Sequence, residues 1–123
     1  MNTPAAEVPP DVLALVEEWL TVPDVAEQLG VDVTRVRQML RDGQLLAVRR
    51  EGVLGVPARF LSDGRVLKGL PGTLTLLSDA GFDPAAALRW LFTVQESLPG
   101  SPVQALVENR GTEVRRRAQA LAL

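Results

Sequence analysis

The sequence predicts a mainly α fold, with two short helices set against each other early in the chain and a small β-hairpin directly after them. Three observations predict it. Thr21 to Arg41 reads TVPDVAEQLGVDVTRVRQMLR, two helical stretches parted by Gly30. Gln44 to Val56 follows as two β-prone runs, QLLAVRR and VLGV, joined by Glu51-Gly52. From Leu70 onward, Leu, Ala and Trp recur at helical spacing between breaks made by Pro, Gly and Asp. A chain of 123 residues, 46% of them apolar, is long enough to build a core and suits one domain or one domain with an appendage.

Residues 1–10 (MNTPAAEVPP) are Pro-rich and aperiodic, which reads as a mobile tail. Asp11 to Trp19 reads as a helix capped by Asp11, with Val12, Leu15, Val16 and Trp19 on one face. Thr21 caps the first helix of the pair, with Pro23 in its first turn and Asp24 at capping-box distance. Val25, Ala26 and Leu29 form its buried face. Gly30 accepts a left-handed backbone and closes the helix in a tight turn. Val31 is expected to fill the space between the helices, and Asp32 to cap the second.

In that second helix, 100° per residue puts Val33, Val36, Met39 and Leu40 on one side. Thr34, Gln38 and Arg41 fall opposite, with Arg35 and Arg37 on the flanks. This is the pattern of a helix-turn-helix, which lays its second helix in the major groove of double-stranded DNA. Arg and Gln suit guanine and adenine edges, so Thr34, Arg37, Gln38 and Arg41 are the candidate base readers and Arg35 a phosphate contact. The following hairpin is a wing, with Arg49 and Arg50 at its tip, in reach of a phosphate or the minor groove. A second hairpin is expected over Phe60–Lys68, around Asp63-Gly64. Its Arg65 and Lys68 suit backbone phosphates and solvent equally well.

The carboxyl-terminal helices are expected at residues 73–79, 85–92, 102–108 and 112–122. Trp90 and Phe92 fit a core or a partner's surface. Arg115, Arg116 and Arg117 are consecutive and fan over ~200° of a helix, so they cannot all face one ligand.

The net charge of −2 argues against nucleic acid, but the charge is segregated. Residues 1–30 carry six acids and no base; residues 31–68 carry eight bases against four acids; residues 69–123 carry five of each. Local field, not total charge, governs phosphate binding. With no His, Cys or Tyr, the chain lacks the usual acid–base, thiolate and phenol groups. No paired-carboxylate, phosphate-loop or metal-ligand motif is present. These absences point away from an enzyme, a cofactor or a metal. No apolar run approaches the ~20 residues of a membrane span, and without an export signal the cytoplasm is the expected compartment.

Residues 20–61 resemble the winged helix-turn-helix of the excisionase and MerR-like groups. The resemblance rests on Val25, Ala26, Leu29, Gly30, Val31, Val36, Leu40, Gly43 and Leu45, then Ala47-Val48-Arg49, Gly52, Val56-Pro57 and Phe60. More closely, the chain after the tail resembles a small actinobacterial family of winged-helix DNA-binding proteins, one member of which is regarded as a serine/threonine-kinase substrate. The stretches that carry this are LAVRR (46–50), LKGLPG (67–72), RWLFT (89–93) and EVRRRAQAL (113–121). The carboxyl-terminal part also resembles the toxin-binding region of Xre-type antitoxins, on Trp90-Leu91, Leu98, Gly100, Pro102, Leu106, Gly111 and Val114.

The expected organisation is therefore a tail (1–10), a winged helix-turn-helix (11–68) and a small helical region (69–123) packed on or beside it. The expected role is sequence-dependent binding of double-stranded DNA, as a transcriptional or nucleoid regulator. The alternative is a protein-interaction module, antitoxin-like or an adaptor. Residues 69–123, balanced in charge and rich in Leu and Ala, would also serve a homodimer or another protein partner.

Overall fold

The computed structural model describes residues 8–95 and 98–122. Most of the expected tail lies outside them, but its end does not behave as a tail. Val8 is buried in the core, and Pro10 opens α1 (Pro10–Leu13). That single turn replaces the helix expected over Asp11–Trp19. Pro9, not Asp11, is its N-cap, and the Asp11 carboxylate instead accepts a hydrogen bond from Arg89 at 2.9 Å. The bond holds the Asp11 carboxyl below the usual carboxylate range.

Trp19 and Leu20 form β1 (Trp19–Leu20), paired antiparallel with Pro57 and Val56 of β3 (Val53–Pro57). The bond from the Ala58 N–H to the Glu18 carbonyl, 2.9 Å, extends that edge. Val12, Leu15, Val16 and Trp19 do match a helical period. Pairing with a distant strand satisfies the backbone and buries Leu20, and this outweighs local periodicity.

The helix pair forms as the sequence predicts. In α2 (Val22–Leu29) the Thr21 hydroxyl accepts from the Asp24 N–H while the Asp24 carboxylate accepts from the Thr21 N–H, a complete capping box. Gly30 sits at φ 72°, ψ 32°, and the Val31 N–H donates to the Ala26 carbonyl at 3.0 Å. Val31 does not fill the space between the helices. Its amide closes the turn and its side chain is left 37% exposed, while Val25, Ala26 and Val36 close the gap themselves. In α3 (Val33–Arg41), capped by Asp32 onto the Arg35 N–H, Val36 and Met39 are buried. Gly30→Val would put a β-branched residue in a left-handed backbone, a strain of about 1–3 kcal/mol. A thermal melt should show a lower Tm; an unchanged Tm would contradict this account of the turn.

β2 (Val48–Arg50) pairs with β3 through a two-residue turn at Glu51 and Gly52, both with positive φ. The sheet order is β1-β3-β2. Residues 44–47, expected to belong to the wing strand, do not; Leu45 turns into the core instead, only 2% exposed. A one-turn 3-10 helix (Ala58–Phe60) leads to the second hairpin, β4 (Leu61–Ser62) and β5 (Arg65–Val66), which folds about Asp63-Gly64 as expected.

Four helices follow: α4 (Leu70–Asp79), α5 (Pro84–Phe92), α6 (Pro102–Val107) and α7 (Gly111–Ala120). α4 takes in Leu70, Pro71 and Gly72 ahead of the expected start at Thr73, since Pro is tolerated in a first turn. The core is one cluster shared by both halves of the chain. Phe60, fully buried, meets Phe92 with ring centroids 5.9 Å apart, and α1 packs on α5. Gln104 accepts from Arg59 and donates to Glu108, tying the 3-10 turn to α6. Arg110 bridges Glu108 and Glu113 across the α6–α7 turn.

Candidate nucleic-acid interface

The exposed face of α3 is the one the sequence predicts. Thr34, Arg35, Arg37 and Arg41 are exposed and Gln38 is half-buried. The apolar face turns inward with Val36 and Met39, so truncating the outer residues leaves the core untouched.

The wing adds one cation to this face. Arg37 and Arg49 line a common groove of about 330 Å³ with Thr21, Val22, Pro23 and Leu54. The Arg49 guanidinium donates to the Gly52 carbonyl at 3.2 Å, which steadies it on its own turn. Arg50 goes elsewhere. Successive residues on a strand face opposite sides, and the Arg50 guanidinium stacks 4.9 Å from the centre of a Trp19 ring on β1. Gly55 makes the room: a Cβ there would stand 3.1 Å from the Trp19 ring and 3.2 Å from the Arg50 side chain.

Arg65 and Lys68 are exposed. The hairpin that bears Arg65 lies against α2, with Gly64 close to the Gln28 carbonyl. The structure thus brings together Arg37 with Arg49, and Gln38 with Arg41, and sets Arg50 on the wing's other face. At the end of α3 a chain of side chains runs along the surface. Arg41 donates to the Gln38 carbonyl oxygen at 2.7 Å, and the Gln38 amide donates to Asp42 at 2.8 Å.

Two contributors escaped the sequence reading. Trp19 matches the period of a helix, and only its pairing with β3 reveals it as the base of the wing. Asp42 directly follows α3, and its i, i+4 spacing from Gln38 is a readable hydrogen-bonding signal. Among the described residues, no three carboxylates converge where a metal could be held. Nor is any helix there long and apolar enough to cross a membrane.

Fold and site together define a winged helix-turn-helix protein whose second motif helix and wing share a cationic groove. The chain belongs to the Rv2175c family. Residues 5–61 match the family described as "DNA-binding protein Rv2175c, wHTH domain", and residues 67–122 the family described as "Rv2175c C-terminal domain of unknown function". The DNA-binding protein Rv2175c of Mycobacterium tuberculosis is 46% identical over 125 residues, spanning 91% of this chain and 86% of that protein. The NMR structure of Rv2175c superposes with a TM-score of 0.80 at 41% identity, covering 96% of this chain and 86% of that one.

Proposed function

We propose that this protein binds double-stranded DNA in a sequence-dependent way and acts in the cytoplasm as a transcriptional or nucleoid regulator. The observation that carries the reading is the groove shared by Arg37 of α3 and Arg49 of the wing. Two cations on separate elements face one concavity at the place where a winged helix meets the duplex. The family relative named a DNA-binding protein supports it. Thr34, Arg37, Gln38 and Arg41 form the base-facing side; Arg35 and Arg49 meet phosphates. Arg50 acts by holding the wing on Trp19. The apolar side chains of the carboxyl-terminal helices serve chiefly to complete the core, with Leu70, Leu77, Leu88 and Leu91 fully buried. Val94, Val107 and Leu121, exposed by 69%, 46% and 40%, are what this half offers a second copy or another protein.

The test is a DNA titration across salt concentrations. Arg49→Ala should lower affinity on all sequences alike and shrink the log–log salt slope by ~1. Arg50→Ala should lower affinity with the slope unchanged, because it loosens the wing without removing a phosphate contact. Wild-type protein that shifts no DNA even at low salt would overturn the reading in favour of a protein adaptor.

A further inference from the structure

The hydrogen-bonded chain at the end of α3 has a direction. Arg41 donates through Nη2 to Gln38 Oε1, and Gln38 Nε2 donates to Asp42 Oδ1. Both ends of the Gln38 amide are therefore engaged within the protein. Reading adenine takes both of those ends at once, the oxygen accepting from N6 and the nitrogen donating to N7. Arg41 is in the opposite position. It spends one of five N–H donors on Gln38, and the other four stay available in a guanidinium whose plane is now held. Guanine presents two acceptors, O6 and N7, to which such a fork bonds bidentately.

We propose that Arg41 reads a guanine, that Gln38 is a positioning residue rather than a base reader, and that Asp42 anchors Gln38 and so sets specificity from the edge of the interface. This rests on the DNA-binding reading above and deepens it. Asp42 has a second effect. A carboxylate at the end of a cationic face repels phosphate, so it lowers affinity for DNA in general while it sharpens the choice of site. An acidic residue beside the readers is thus part of the recognition surface.

The experiment is selection from random duplexes, followed by titration on the selected site and on a scrambled duplex, for wild type and four full-length variants. Arg41 and Asp42 are exposed and Gln38 is half-buried, and a melt of each variant reports folding. Arg41→Ala should erase a guanine preference at one position. Gln38→Ala and Asp42→Ala should flatten the same position by about tenfold, and Asp42→Ala should bind the scrambled duplex more tightly than wild type. Asp42→Asn keeps an acceptor for Gln38 and removes the charge, so it should retain the guanine preference and gain general affinity. If Gln38→Ala removes an adenine preference at a different position, or Asp42→Ala leaves the selected motif as it was, the assignment is overturned. Wild type that selects no motif, or binds no duplex, instead marks failure of the function proposed above.

Discussion

A fragment ending at residue 68 should show no cooperative unfolding transition, although it contains the whole winged helix-turn-helix by sequence. The reason is where its core residues find their partners. Phe60 is fully buried against Phe92, and Val12, also fully buried, belongs to α1, which packs on α5. Re-exposing a large apolar side chain costs about 1.5–3 kcal/mol. A domain is stable by only about 5–15 kcal/mol in total. These two side chains alone spend much of that margin, before counting the lost Asp11–Arg89 and Arg59–Gln104 contacts. Circular dichroism on heating would decide it. A sharp melt for the fragment, with DNA binding intact, would establish that the winged module stands alone and that the carboxyl-terminal helices exist for something else.

Arg37→Glu should reduce DNA affinity by about a hundredfold or more while leaving the Tm close to that of the wild type. Arg37 lies in the groove beside Arg49, exposed, on the flank of α3 and outside the core that Val36 and Met39 enter. The change removes one cation and places an anion where phosphates and base edges approach. Like charges juxtaposed in an interface cost several kcal/mol, and loss of a bidentate base contact costs about 1–3 kcal/mol more. The same reversal at Arg116, exposed on α7, should leave affinity near wild type. If both reversals weaken binding alike, the effect is one of overall charge, and the groove is not the interface.

The sequence makes α2 and α3 legible because the signals that define them are local. Thr21 and Asp24, Gly30, and Asp32 act within one turn of the residues they cap. The two hairpins are legible for the same reason, through Glu51-Gly52 and Asp63-Gly64. β1 is not. Its two residues pair with Val56 and Pro57, far along the chain, and nothing near Trp19 announces this. The exposed face of α3 followed from helical periodicity. The wing was half legible: that Arg49 and Arg50 must diverge follows from the strand pleat, but which of them meets Arg37 depends on where β1 docks. The Gln38–Asp42 bond had its signal in the i, i+4 spacing alone.

The clasp between α1 and α5 bears on the order in which the chain can fold as it is made. Asp11 and Arg89 are 78 residues apart in sequence. At typical rates of synthesis, Arg89 is added roughly 4–16 seconds after Asp11. Until then Val12 and the rest of α1 have no α5 to pack on, and α1, a single turn, is too short to persist by itself. A segment made well before α5 is thus among the last to settle. A nascent chain that already displays α3 would hold it on an unfinished body, so competence to grip a duplex should arrive late, together with the helices that close the core.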